Sequence, residues 1–181
     1  MVDLRGPEIR IGTFEHGRIE LREGDLFTLT TEPCVGNQER VWVQYAGIVN
    51  DVAEGGYLLL DDGNLTFQAV EVTPTGVLCR VIVGGPLSDR KKVNLPGTKV
   101  SLPALSDKDI EDIRFGVEMG VDFVAGSFIR KAQDVLEIRR VIEEAGGHQQ
   151  IISKVESQEG FDNLESILQV SDGLMVARGD L

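Results

Sequence analysis

The spacing of apolar and polar residues divides the chain into two parts. From about Ile11 to Leu102, short apolar runs alternate with turns that contain Gly, Asp or Pro. These runs are Arg18 to Leu21, Leu26 to Thr30, Val41 to Tyr45, Tyr57 to Leu60, Leu65 to Val72 and Val77 to Val83. The segments Asp61 to Asn64 and Thr73 to Gly76 join neighbouring runs at hairpin-loop length. This part is typical of a small antiparallel β-barrel or sandwich.

From Ser106 onward the pattern predicts helices that alternate with strands. Ser106 and Asp109 have the spacing of a capping box, and the helix that follows is predicted to stop at Gly120. A second helix is predicted to end at Gly146. The stripes expected to face the core are Ile110, Ile113 and Val117, then Val135, Ile138 and Ile142, then Phe161, Leu164 and Leu168. This alternation predicts a parallel sheet with right-handed crossovers, either a (β/α) barrel or an open doubly wound sheet.

The number of strands in this second pattern is small. Four can be counted, near residues 2, 123, 152 and 175. Four parallel strands cannot close a barrel, and an open sheet of them would present unpaired edges. The simplest interpretation is a fragment of a longer protein, with the β-rich part inserted after the first of these strands.

Two ionisable side chains follow the apolar run Ile151 to Ser153. Because side chains alternate between the faces of a strand, Lys154 and Glu156 should point the same way, with Cα atoms about 6–7 Å apart. An ion pair at a strand terminus is the structural alternative. The next apolar run, Gly173 to Ala177, leads to a second acid, Asp180. We therefore expect a cation and two carboxylates at one edge of the sheet.

Composition excludes several classes of partner. The 181 residues include 18 Lys and Arg against 30 Asp and Glu, a formal net charge of −12. Such a charge repels phosphate backbones and anionic lipids, so we expect neither a nucleic acid nor a membrane as partner. Cys34 and Cys79 belong to no metal or redox motif and are expected to be reduced core thiols. Without a signal peptide or membrane span in the sequence, we expect a cytoplasmic protein.

Five segments together resemble a known family. They are Asp3-Leu-Arg-Gly-Pro-Glu-Ile-Arg10, Val93-Asn-Leu-Pro-Gly97, Ser127-Phe-Ile-Arg130, Ile151-Ile-Ser-Lys-Val-Glu156 and Met175-Val-Ala-Arg-Gly-Asp180. In this order and spacing they resemble the pyruvate kinases over essentially the whole chain. The resemblance implies that residues 1–10 and 102–181 are part of an α/β fold, the (β/α)8 TIM barrel of the catalytic A domain, from its third to its sixth strand. Residues 11–101 would be the inserted B domain, a small all-β barrel that acts as a lid.

The resemblance also implies a reaction and its residues. The family transfers a phosphoryl group from phosphoenolpyruvate to ADP, which gives pyruvate and ATP in the last step of glycolysis. Lys154 matches the catalytic lysine that contacts the transferring phosphoryl group. Glu156 and Asp180 match the carboxylates that hold Mg²⁺ or Mn²⁺, whose preference for hard oxygen ligands they suit. Gly179 and Asp180 match substrate contacts.

Further site residues follow from the same resemblance. Arg10 and Lys91 match contacts to the nucleotide phosphates. Asp3 and the main-chain carbonyl of Leu4 match ligands of K⁺, and Glu8 is the residue type that accompanies a potassium requirement. Leu4 stands where the family usually has Thr.

The cleft and the state of the isolated chain are further expectations. Ser127 and Arg130 either line the cleft or are polar residues at a strand end. We expect the 181-residue chain to be inactive alone, and the longer protein to be a homotetramer. Two other functions stay open: a keto-acid aldolase or lyase barrel that uses a metal or a Schiff base on Lys154, and a non-catalytic interaction module. The proximity of Glu156 opposes the Schiff base, because it favours the charged lysine.

Overall fold

A computed structural model describes residues 1–177 of the chain. The chain forms two compact units. One, here called the α/β unit, comprises Met1–Pro7 and the residues from Leu102 onward. The other, here called the β unit, comprises Glu8–Ser101. The assignment of these parts to the A and B domains of the resembled family stays a prediction.

Twelve strands and five helices are formed by the described residues. In chain order they are β1 (Val2–Asp3), β2 (Arg18–Leu21), β3 (Leu26–Thr30), β4 (Arg40–Trp42), α1 (Ile48–Asp51), β5 (Tyr57–Leu60), β6 (Leu65–Thr73), β7 (Gly76–Val83), β8 (Gly85–Ser88), β9 (Val93–Asn94), α2 (Asp107–Glu118), β10 (Phe123–Gly126), α3 (Ala132–Glu144), β11 (Gln150–Val155), α4 (Gln158–Asp162), α5 (Leu164–Leu168) and β12 (Gly173–Val176).

The α/β unit contains one parallel sheet. Its order is β1-β10-β11-β12, so each strand lies beside the next α/β strand along the chain. This order is that of a (β/α) barrel wall, whereas a doubly wound sheet changes direction at a switch point. The sheet therefore fits a partial barrel, which is one of the two alternatives predicted from the sequence.

Helices α2 and α3 pack against this sheet through the predicted faces. The buried core consists of Leu4, Ile113, Val124, Ile129, Val135, Ile138, Val141, Ile142, Ile151 and Ile167. The capping box of α2 is present: the Ser106 hydroxyl accepts from the Asp109 amide, and the Asp109 carboxylate accepts from the Ser106 amide. Gly120 and Gly146, with φ of 67° and 80°, follow the ends of α2 and α3. These predictions of helix starts and stops are confirmed.

The predicted third helix is instead two short helices, α4 and α5. The backbone leaves the helical conformation at Asn163, so residues on either side no longer share one stripe. The expectation that Phe161, Leu164 and Leu168 form a core face is wrong, because Phe161 is 60% exposed and Leu168 is 48% exposed. Ile167 is the side chain that enters the core from α5.

The β unit is built on a six-stranded sheet of order β4-β3-β7-β6-β5-β9, with a two-stranded sheet formed by β2 and β8. The two predicted hairpins are present, since Leu60 pairs with Leu65 and Thr73 pairs with Gly76. The sheet is not wholly antiparallel as expected, because β3 and β4 pair in parallel. The fully buried side chains of the β unit include Phe27, Leu29, Val41, Val43, Leu58, Leu60, Phe67, Val77, Cys79 and Val81.

We also searched residues 1–177 for a membrane-spanning helix. None of the helices described there is both long and apolar enough to cross a bilayer.

Candidate active site

The side chains of Lys154 and Glu156 lie together, as the alternation of strand residues predicts. On β11, Ile151, Ser153 and Val155 are buried, so Lys154 faces the other side of the strand. Glu156 follows directly after β11. Lys154 Nζ lies 3.4 Å from Glu156 Oε1, and the two side chains are 14% and 2% exposed. The strand therefore delivers a cation and a carboxylate to one place.

Two neighbouring strands contribute further groups to this place. Lys154 Nζ donates to Asp3 Oδ1 at 3.2 Å and to Ser127 Oγ at 2.8 Å. Asp3 is the last residue of β1, and Ser127 directly follows β10. All four groups thus lie at the carboxyl ends of parallel strands, which is the edge where the active sites of (β/α) barrels are found.

Glu156 is fixed by a backbone contact from the neighbouring strand. Its Oε2 atom accepts a hydrogen bond from the amide of Phe128 at 2.8 Å. The residue is only 5% exposed, so the carboxylate depends on this amide and on Lys154 for its partners. Sequence reasoning missed the amide, because a phenylalanine gives no signal that its backbone will bind a carboxylate.

The charges of this cluster keep the lysine protonated. Burial alone lowers the pKa of the Lys154 ammonium, but the charges of Glu156 and Asp3 and their hydrogen bonds outweigh it, so its pKa lies above the usual value. The carboxylates of Asp3 and Glu156 surround the single ammonium of Lys154, so the cluster has an excess of one negative charge. The cluster can therefore accept a further cation, and its ammonium can contact an anionic group.

Not every predicted site residue lies in this cluster. The side chain of Leu4 is buried in the core, and its amide donates to the carbonyl of Ala125 at 2.9 Å. Gly179 and Asp180 lie outside the described residues. β12, which precedes them in the chain, pairs with β11 in parallel, with Val176 beside Val155.

Arg10 and Lys91 belong to the β unit, where each is paired with an acid. Arg10 Nε donates to Glu8 Oε2 at 2.8 Å. Lys92 Nζ lies 3.5 Å from the other Glu8 oxygen. Lys91 Nζ lies 2.6 Å from Asp61 Oδ1. The side chains of Arg10 and Lys91 are each 37% exposed and so remain accessible to a ligand.

Arg130, which was expected either to line the cleft or to be a strand-end polar residue, makes contacts that hold the α/β unit together. One of its guanidinium nitrogens donates to the carbonyl of Leu102 at 2.7 Å, and its amide donates to Asp134 Oδ2 at 2.9 Å. Only 9% of its surface is exposed.

Comparisons of the sequence with known proteins identify one family. The family model described as the pyruvate kinase barrel domain matches residues 1–181. Over its full length the chain is 46% identical to the pyruvate kinase of Clostridium perfringens (strain 13 / Type A) and covers 39% of that protein. It is 48% identical to the enzyme of Staphylococcus saprophyticus and 46% identical to that of Staphylococcus aureus (strain MRSA252), and it covers 31% of each. The chain thus spans between 31% and 39% of the length of these relatives.

Proposed function

The chain belongs to the pyruvate kinase family, and we propose that it supplies part of an enzyme that transfers a phosphoryl group from phosphoenolpyruvate to ADP, giving pyruvate and ATP. The observation that carries this proposal is the contact of Lys154 Nζ with Asp3, Ser127 and Glu156 at 3.2, 2.8 and 3.4 Å. Because the chain spans 39% or less of these relatives, the complete activity is proposed for a longer protein.

Lys154 is the proposed catalytic residue. In phosphoryl transfer, negative charge spreads over the equatorial oxygens of the moving group, and a positioned cation stabilises it. Lys154 suits this role because its pKa lies above the usual value and because Asp3 and Ser127 restrict its side chain. The ordering of this long side chain is thus achieved before substrate binds.

Glu156 is the proposed protein ligand of Mg²⁺ or Mn²⁺ among the described residues. Its carboxylate is a hard oxygen ligand. Lys154 neutralises only one of the two carboxylates, Asp3 and Glu156, and the remaining negative charge favours a cation beside Glu156. Within residues 1–177, no three His, Cys, Asp or Glu side chains are grouped as a metal cage. Mg²⁺ sites shared with phosphates commonly use one or two carboxylates, so Glu156 with Asp180 fits such a site. When bound, the ion would polarise substrate oxygens.

A monovalent cation site is proposed at Asp3 and Leu4. The Asp3 side chain is 56% exposed, so its carboxylate can accept a ligand besides Lys154. The main-chain carbonyl of Leu4 would supply a second oxygen, which requires no particular side chain. K⁺ would bind there beside the substrate phosphate.

The β unit is proposed to be the inserted B domain, a small all-β barrel of the lid type. Arg10 and Lys91 would contact the phosphates of ADP or ATP, since both are accessible cations in a chain of net charge −12.

Gly179, together with Asp180, is proposed to contact the substrate. A cytoplasmic homotetramer, without nucleic acid or membrane partners, completes the proposal.

The Schiff-base form of the aldolase or lyase alternative is disfavoured by the electrostatics of Lys154. A Schiff base forms from a neutral amine, which a depressed lysine pKa provides. Asp3 and Glu156 instead raise the pKa of Lys154. No contact of the described residues favours the non-catalytic alternative.

A chimaera tests the proposed function directly. Residues 1–181 would replace the matching segment of the Clostridium perfringens relative, to which they are 46% identical. We expect the chimaera to form pyruvate from phosphoenolpyruvate and ADP in a Mg²⁺-dependent reaction. The isolated chain should give no measurable turnover, because it covers 39% or less of these relatives and the four parallel strands described do not close a barrel. A folded chimaera without activity would contradict the proposed function, and turnover by the isolated chain would contradict the need for a longer protein.

A further inference from the structure

The backbone of Phe128 has a left-handed conformation, with φ of 53°. Three other non-glycine residues described by the structure have positive φ, namely Asp61, Asp62 and Arg90. The two aspartates occupy a hairpin loop, and aspartate tolerates this region because its short side chain can bond locally. A phenylalanine has no such compensation, so its surroundings must hold it in place. Strain of this kind concentrates at functional sites.

Phe128 is the middle one of three consecutive residues, 127–129, that bind Lys154 and Glu156. The Phe128 amide donates to Glu156 Oε2 at 2.8 Å. On one side of it, Ser127 Oγ accepts from Lys154 Nζ at 2.8 Å. On the other side, the amide of Ile129 donates to the carbonyl of Lys154 at 3.1 Å. Residues 127–129 therefore bind the ammonium, the backbone and the carboxylate of the pair at once.

These contacts fix the positions of the two charged groups relative to each other. Without them, a lysine and a glutamate two positions apart on a strand would sample many rotamers. The Phe128 amide binds Oε2 at 2.8 Å, and the Lys154 ammonium lies 3.4 Å from Oε1. Because Ser127 and Asp3 share the ammonium, it is not drawn wholly onto Glu156.

Gly6 supports the same segment from the other side. Its φ is 72°, and a Cβ atom at this position would lie 2.8 Å from the carbonyl oxygen of Ser127. The backbone of residue 6 thus approaches Ser127 more closely than any side chain allows. This approach helps to confine the turn that places Phe128 in its left-handed conformation.

We propose that Phe128 is a positioning residue for the proposed reaction, whose left-handed backbone fixes the Glu156 carboxylate and the Lys154 ammonium relative to each other. The inference rests on the proposed function for the role of the pair. It adds that the separation between the phosphoryl-contacting cation and the metal-binding carboxylate is set by the backbone of the β10–α3 connection. Residue 128 thus acts through its conformation rather than through its aromatic ring.

Phe128→Leu and Phe128→Ile test this proposal, because the two new side chains are isomers. Phe128→Leu lacks a β-branch and can adopt positive φ at the cost that Phe already bears, whereas the β-branched Phe128→Ile strongly resists it. Both remove the ring, so Leu is the matched control for Ile. The measurements on the 181-residue chain are the amide proton shift of residue 128 by NMR and the affinity for Mn²⁺ by electron paramagnetic resonance.

The hydrogen bond to the Glu156 carboxylate should shift the amide proton of Phe128 downfield. We expect Phe128→Leu to keep this shift and an Mn²⁺ affinity within about twofold of the wild type. Phe128→Ile should lose the shift and bind Mn²⁺ about tenfold or more weakly, the size of effect typical when a group orienting a metal ligand is lost. Equal behaviour of the two folded variants in both measurements would overturn the proposal.

A second measurement decides the matter if the Ile variant does not fold. In Glu156→Gln the amide of residue 128 would face a neutral, weaker acceptor, and its proton shift should move upfield while distant amides stay unchanged. An unchanged shift would overturn the proposal. Failure of the wild-type chain to bind Mn²⁺ would instead contradict the metal role of Glu156 in the proposed function, and the amide shifts alone would then decide on the positioning role.

Discussion

The ammonium group of Lys154 lies 3.2 Å from the carboxylate of Asp3, although 151 positions separate the two residues in the sequence. Asp3 ends β1 and Lys154 lies on β11, with β10 between these strands in the sheet. The lysine therefore reaches across one strand, and Ser127 at the end of that strand binds it on the way. The cluster is a product of the sheet order, since three parallel strands must end at one edge to form it.

Substitution of Gly6 tests whether the close approach to Ser127 matters. In Gly6→Ala a methyl group would meet the Ser127 carbonyl oxygen at 2.8 Å, in addition to the strain of φ 72°. Gly120→Ala is the matched control, because its φ is 67° and its Cβ would meet no atom within 4 Å. We expect the control to lower the free energy of unfolding by about 1 kcal/mol and Gly6→Ala by about 2–4 kcal/mol. Equal losses in urea unfolding would show that the approach is not tight.

Substitution of Asp109 tests the hydrogen bonds that connect the start of α2 to the residues that follow β1. The buried carboxylate accepts from the amides of Arg5, Gly6 and Ser106 at 3.1, 3.3 and 2.9 Å. Asp109→Ala leaves these donors without their acceptor, so we expect a loss of about 2–4 kcal/mol in the free energy of unfolding. Asp107→Ala, at an exposed position of the same helical turn, should cost less than about 1 kcal/mol. Equal losses of unfolding free energy in the two variants would show that these hydrogen bonds do not stabilise the fold.

The alternation of strand residues and the signals at helix ends were sufficient to predict much of the α/β unit. Ser106 with Asp109 marked the start of α2, and Gly120 marked its end. The period of two along β11 placed Lys154 and Glu156 on the same side, which requires no knowledge of the tertiary structure. These are local properties, so a sequence can specify them.

The parts that sequence reasoning missed depend on long-range contacts. Phenylalanine is not a residue type that favours positive φ, and the amide of Phe128 is bound by Glu156, 28 positions away in the sequence. The apolar spacing of Phe161 and Leu168 suggested one stripe, but the backbone break at Asn163 changes the phase of the helix between them. Asn163 donates from its side chain to the carbonyl of Arg130 at 2.9 Å, a partner that lies 33 positions away.

The pH dependence of stability should report on Asp172. The side chain of Arg139 donates to Asp172 Oδ2 at 2.7 Å, and this contact, with the amide of Ile151, lowers the pKa of the carboxyl from its usual value. Because the folded pKa is below the unfolded one, the stabilisation is complete above the unfolded value and is lost as the pH falls through the folded value. The difference in unfolding free energy between the wild type and Asp172→Asn should be constant from about pH 7 to 5 and shrink below about pH 4. A difference that grows on acidification would contradict this assignment.

The two cysteines should differ in reactivity. Burial raises the pKa of the Cys79 thiol to about 12, and the residue is fully buried in the β unit, whereas Cys34 is partly exposed. Since the thiolate is the reactive form, native protein at pH 8 should react with a disulfide reagent at Cys34 only. Both thiols should react in guanidinium. The Cys34→Ser variant is the control, and rapid labelling of its remaining thiol in native protein would rule out the buried environment of Cys79.

The division of roles between Lys154 and Glu156 is the central claim, and one comparison in the chimaera tests it most directly. The turnover number and the Mn²⁺ dissociation constant would be measured for Lys154→Met and Glu156→Gln. Lys154→Met should lower the turnover number about 10³-fold or more, while the Mn²⁺ affinity stays unchanged or rises, because a cation next to the ligand has been removed. Glu156→Gln should weaken Mn²⁺ binding about tenfold or more. The account would be contradicted if Lys154→Met chiefly weakened Mn²⁺ binding and left phosphoryl transfer close to the wild-type rate at saturating metal.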